Sequence, residues 1–268
     1  MKNTHHFFAT ILFIITSCSH GVNNIPDATS AFSFRGNTAS TVKIGTQDTC
    51  SAVNKSTNAD SILWDFGDGR TSTDQTVILS YPKSGTYTLK LIAKGFDGEK
   101  TESSKKIIVL DRILKKIVID RVQWDTAVVS QGWPTIDVAD IYFQIQLFTN
   151  TTMNPKGIYP KCPVLFTSSI IKNISFNHIP PVYQPIEIPV SEKFIIDKNL
   201  LSETFNLAKI NNLYLFSVMA KDASGKNYCL INNVWYDIKL KIQGNVASNT
   251  FSVETNNQTS FRLICDYE

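Results

Sequence analysis

Two carboxylates, Asp65 and Asp68, stand beside two glycines in the hexapeptide Trp64-Asp65-Phe66-Gly67-Asp68-Gly69. Side chains of this type in so short a turn can hold a metal ion, serve acid and base chemistry, or accept backbone hydrogen bonds and fold the chain back. A helix-loop-helix calcium loop needs acids at its first, third and fifth positions, glycine at the sixth and glutamate at the twelfth. Counting from Asp65, the third residue is Gly67, the sixth Arg70 and the twelfth Thr76, which excludes that motif.

Other chemistries lack their residues. Beyond position 17 the histidines are His20 and His178, the latter in the proline-rich segment NHIPPVY, and no Gly-x-Ser-x-Gly elbow supplies a nucleophile. Neither Cys-x-x-Cys nor His-Glu-x-x-His is present for zinc, and no Gly-x-x-x-x-Gly-Lys for phosphates. The chain reads as no enzyme and no nucleotide binder.

The elements that must position these residues begin after an apolar run, residues 7–15, that follows Lys2 and ends in small residues before Cys18. At roughly half the ~20 residues a spanning helix needs, it reads as a cleaved signal peptide, residues 1–17. Ile15-Thr16-Ser17-Cys18 resembles the lipobox of bacterial lipoproteins, which implies a diacylglyceryl thioether on Cys18 and acylation of the new N-terminus. More than one acyl chain, at ~0.8 kcal/mol per buried CH₂, makes a lasting membrane anchor. Ser19 is compatible with outer-membrane sorting. Residues 18–29 are polar and read as a tether.

Removing residues 1–17 takes one lysine and no acid, so the formal charge falls from +3 to +2 and no strong field favours nucleic acid. The basic residues Lys105, Lys106, Arg112, Lys115, Lys116 and Arg121 would be divided by strand alternation between two faces and a domain junction. Export permits disulfides. Cys50 lies in a strand-like run as a small hydrophobe, and among Cys162, Cys229 and Cys265 there is room for one bridge or none, with the pairing open.

From residue 31, short segments alternate with turns: AFSFRG, TVKIG, DTCSAV, SILWDF, VILSY, TYTLKLIA and KKIIVL. In TYTLKLIA, Tyr87, Leu89, Leu91 and Ala93 share one face, a period of two that predicts strand. With Trp64-Asp65-Phe66-Gly67-Asp68-Gly69, then Tyr81, then Gly85-Thr86-Tyr87, then a hairpin turn at Asp97-Gly98, residues 30–111 resemble the PKD domain, which implies an immunoglobulin-like sandwich. Cys50, where that family usually has a plain hydrophobe, is the one departure. Trp64 and Phe66 are expected to point inward, with Asp65 and Asp68 fixing the turn. The linker that follows is short and predicts a restricted orientation between domains.

Residues 112–268 continue as strands, with helical spacing only at 199–210. Trp124-Asp125 and Asp140-Ile141-Tyr142 are similar to the C2-like sandwich that follows a PKD domain in some lipoproteins of double-membraned bacteria. That resemblance implies a calcium set of Asp125, Asp137 and Asp140 from one loop and Asp222 from another. Ser224 and Lys226 stand where further acids would repeat, so calcium is a weak alternative and no cofactor is expected. Aromatics available for stacking on a sugar or a partner are Trp124, Trp133, Tyr142, Tyr159, Tyr183 and Tyr236, with Trp133 expected to be exposed.

The fold class expected is all-β, two antiparallel sandwiches after a signal peptide. The function expected is non-enzymatic binding of an envelope protein or polysaccharide by a lipid-anchored chain of the outer membrane. The PKD-like domain would act as spacer; a structural role in an envelope assembly is the alternative.

Overall fold

The computed structural model describes residues 26–36, 39–124, 134, 136–149, 162–201, 211–232, 240–246, 250–254 and 259–268. The signal peptide, Cys18, most of the tether, Asp125, Trp133, Tyr159 and Tyr236 lie outside the described residues. The regular secondary structure of the described residues is strand apart from one short 3-10 turn, and no helix among them is long and apolar enough to cross a membrane.

The first unit contains β1 (Phe32–Phe34), β2 (Thr41–Gly45), β3 (Cys50–Asn54), β4 (Ala59–Asp65), β5 (Thr71–Ser72), β6 (Thr76–Leu79), β7 (Gly85–Gly95) and β8 (Lys100–Leu110). They form a sheet β1-β3-β6 and a sheet β2-β8-β7-β4-β5, antiparallel except for the parallel pair β2 and β8. The period of two in β7 has its expected result: Leu89, Leu91 and Ala93 are fully buried while Thr88 and Lys90 face water. With Phe32, Phe34, Trp64, Leu79 and Tyr81 they make one core between the sheets. Cys50 is half-buried against it.

The second unit contains β9 (Arg112–Gln123), β10 (Val138–Thr149), β11 (Val164–Thr167), β12 (Ile171–Ser175), β13 (Asn177–His178), β14 (Ile186–Pro189), β15 (Asn211–Lys221), β16 (Asn227–Asn232), β17 (Lys241–Asn245), β18 (Thr250–Glu254) and β19 (Ser260–Tyr267). One sheet runs β13-β9-β19-β18-β17 with β14 also on β9. The other runs β11-β10-β15-β16 with β12 also on β10. Between them lie Ile117, Ile119, Phe143, Phe216, Leu263 and their neighbours.

The outer side of the second sheet is closed as well. Leu215, Ser217 and Met219 are as buried as the core-facing Phe216 and Val218, so β15 lacks hydrophobic alternation. Of the helical spacing at 199–210, Lys198–Leu200 form a 3-10 turn capped by Asp197, and residues 202–210 lie outside the described set.

The described cysteines form no disulfide. Sheet alternation separates them: Cys265 lies in the core, whereas Cys229 packs with Tyr142 and Met219 on the outer side of its sheet.

Candidate functional site

The hexapeptide Trp64 to Gly69 leaves β4 and turns into β5. Trp64 is fully buried and its indole N–H donates to the Asp74 carbonyl at 2.8 Å; Phe66, two residues on, is 7 % exposed. Gly67 and Gly69 adopt φ of +75° and +92°, where a side chain is disfavoured. Asp65 Oδ1 accepts the Gly67 N–H at 2.9 Å, and Asp68 Oδ1 accepts the Arg70 N–H at 3.1 Å. The Arg70 guanidinium also pairs with Asp68 Oδ2 at 2.6 Å and donates to the Ser80 carbonyl at 2.7 Å. It lies 5.4 Å from the ring centres of both Phe66 and Tyr81. Partial burial pushes the Asp68 carboxyl up, but the Arg70 hydrogen bonds and charge outweigh this and hold it below the usual range. Both carboxylates close the turn.

Of the acids named for calcium, the described Asp137, Asp140 and Asp222 lie near the same end of the β10–β15 pair. Asp137 precedes β10, Asp140 sits opposite Lys221, and Asp222 follows β15. The carboxylates of Asp140 and Asp222 already have partners. Asp140 pairs with Lys172 Nζ at 2.6 Å and accepts the Asn173 N–H at 3.2 Å. Asp222 accepts from Ser224 Oγ at 2.6 Å, the Tyr228 hydroxyl at 2.8 Å and the Lys226 N–H at 3.0 Å. The Ser224 hydrogen bond, then those of Tyr228 and Lys226, pull its carboxyl down to about 2. Asp137 is exposed, and its carbonyl rather than its carboxylate is engaged, by the Phe176 N–H. Among the described residues no group of three or more acids, histidines or cysteines is arranged to hold a metal ion.

Two of the aromatics singled out for binding are packed inside. Trp124 is 1 % exposed, donates to the Ile136 carbonyl at 3.0 Å and meets Phe176 edge-on. It closes the end of the core, because β9 carries it inward beside Val122. Tyr142 is nearly buried against Met219 and Cys229. Tyr183 is exposed and stacks on His178 at 4.6 Å, while His178 Nε2 is 2.8 Å from the Gln184 carbonyl.

A family model for the PKD domain matches residues 28–109. Residues 28–109 are a PKD domain. Collagenase ColQ1 of Bacillus cereus (strain Q1) is 43 % identical over 51 residues, which are 19 % of this chain and 5 % of the collagenase. The PKD1 domain of Vibrio anguillarum Epp is 24 % identical, covering 31 % of this chain and 94 % of its own, at a TM-score of 0.26. A Bacteroides ovatus protein, SGBP-B, solved with a mixed-linkage heptasaccharide, is 16 % identical over 91 % of this chain and 60 % of its own, at 0.22. At such TM-scores these likenesses carry no argument about what the chain binds.

The PKD domain meets the second sandwich across a site that sequence reading missed. A single residue, Asp111, separates β8 from β9, and it exchanges two backbone hydrogen bonds with the C-terminal Glu268. Arg112, the first residue of β9, is fully buried. Its guanidinium donates to the Thr46 carbonyl at 2.7 Å, pairs with Asp48 at 2.7 Å and lies 5.3 Å from the Tyr267 ring centre. Asp48 also binds Lys198 at 2.5 Å, and the Asn199 N–H reaches Gln47 Oε1 at 3.3 Å. The signal was Arg112 itself, an arginine where one strand-rich run passes into the next; in the sequence it is one of six basic residues.

Proposed function

We propose that this chain is a lipid-anchored, non-enzymatic envelope protein in which the PKD domain holds a recognition domain, residues 112–268, away from the membrane to bind a protein or polysaccharide. One observation carries the reading: the chain enters and leaves the PKD domain at opposite poles. Thr29 pairs with Thr57, and a Cβ on Gly95 would lie 3.3 Å from that of Ala28, so the tether arrives where β7 ends and β8 begins. The chain departs at Leu110, eleven strand residues away, a separation of about 35 Å at ~3.3 Å per residue.

The anchor in this reading is Cys18, ten positions ahead of Ala28, and the membrane is the outer one. Non-enzymatic action is supported by how Asp65, Asp68, Asp140 and Asp222 are already engaged in turns and ion pairs.

Fractionation of cells carrying the wild type and Cys18→Ser tests the anchor: the wild type sediments with outer membrane and the variant is released. Equal partition of the two overturns it. Protease treatment of intact cells then decides which partners to assay, and the intact chain is offered to a glycan array and to envelope extract. Retention by neither overturns the recognition role.

A further inference from the structure

We propose that Arg112 and the turn Thr46 to Asp48 form a latch that joins the PKD domain and the second sandwich into one co-operative folding unit. Domains joined by a linker ordinarily move relative to one another unless their interface is large and apolar. Here charged groups cross the contact: Arg112 belongs to one domain while Thr46 and Asp48 belong to the other. A fully desolvated guanidinium is tolerated only while its partners stay in place. Opening the junction, or unfolding the PKD domain, withdraws Thr46 and Asp48, so the second sandwich loses the hydrogen bond and ion pair they make with Arg112 at its edge. The second sandwich is therefore destabilised when the first unfolds.

Coupling also runs the other way. Thr46 is held by its N–H on the Leu110 carbonyl and Gln47 by its N–H on the Tyr81 carbonyl, so the turn is tied to the PKD domain, and Lys198 and Asn199 clamp it from the far side. The contact is directional, because a guanidinium fits its acceptors in one orientation. It fixes the angle between the domains as well as their joint stability.

The test follows the full chain in detergent through a urea series by hydrogen exchange and mass spectrometry, reading β7 for the PKD domain and β15 for the second sandwich. The latch predicts one shared midpoint in the wild type. In Asp48→Ala the midpoints separate by about 1 M urea, the loss expected when a buried charge loses its partner. Should Asp48→Ala fail to fold, the double variant Asp48→Ala/Arg112→Met, which leaves no buried charge, folds and shows separate midpoints. Separate midpoints in the wild type overturn the proposal, as do shared midpoints in Asp48→Ala or in the double variant.

Discussion

The Tyr81 hydroxyl donates to the Phe66 carbonyl oxygen across 2.9 Å inside the PKD core. The bond ties the turn after β4 to the segment after β6, and the ring of Tyr81 stacks on Tyr87 at 4.1 Å. Tyr81→Phe keeps the ring and removes the donor, leaving the Phe66 carbonyl without it. The expected loss is about 1–3 kcal/mol. Urea unfolding should show a lower midpoint with an unchanged slope.

The two glycines of the hexapeptide should respond unequally. A Cβ on Gly67 would lie 2.7 Å from the Thr88 carbonyl oxygen, a backbone atom that cannot step aside, whereas one on Gly69 meets nothing within 4 Å. Both adopt positive φ, so Gly69→Ala carries only the conformational strain, about 1 kcal/mol. Gly67→Ala adds a backbone clash and should lower stability by at least twice as much in the same assay.

These residues were legible because their signals are local. Trp64, Phe66 and the glycines announce a strand end and a turn within six positions, and the inward side of β7 follows from its period of two. The second domain was harder because β10 and β15 are buried on both faces, which removes the alternation that separates strand from other buried segments. Trp124 showed an aromatic type but not its direction, and its packing depends on Phe176 and Ile136, distant in the chain. Arg112 is the extreme case: nothing near it in sequence indicates that Thr46 and Asp48 will surround it.

Gly45, at the end of β2, reports on the same junction. A Cβ there would stand 2.5 Å from Arg112 Nη2, 2.6 Å from Asp48 Oδ2 and 2.6 Å from the Tyr267 ring. Arg112 is fully buried and cannot swing clear. Gly45→Ala should therefore loosen the domain contact, lowering stability by about 1–3 kcal/mol as overpacking does. Small-angle scattering should show a larger radius of gyration for the variant than for the wild type.

Added calcium is expected to leave the melting temperature unchanged. A site filled at 100 times its Kd would raise stability by about 2.7 kcal/mol. Asp140 is neutralised by Lys172 and Asp222 is engaged by Ser224, Tyr228 and Lys226, so an ion would have to displace existing partners. Calorimetry with calcium and then with chelator checks this, and a rise reversed by chelator would refute it.

Stability should fall at alkaline pH, and the onset should belong to cysteine. Burial, with the nearby Asp266 charge, pushes the Cys265 thiol from 9.0 up to about 12 against a smaller opposing effect of Arg112, and burial pushes Cys50 up to about 11. Unfolded thiols lose their protons above 9 while the folded ones keep theirs, so between those values the unfolded state binds fewer protons and unfolding becomes easier as pH rises. The contribution is absent below 9 and grows toward 12. Buried tyrosines such as Tyr81 and Tyr214, also pushed up by desolvation, add to the loss above 10. Cys265→Ala should be less stable than the wild type at pH 7, because it leaves a small void, yet lose less stability between pH 9 and pH 10. Urea midpoints at those three pH values separate the two effects, and an equal alkaline slope in both proteins would remove Cys265 as the cause.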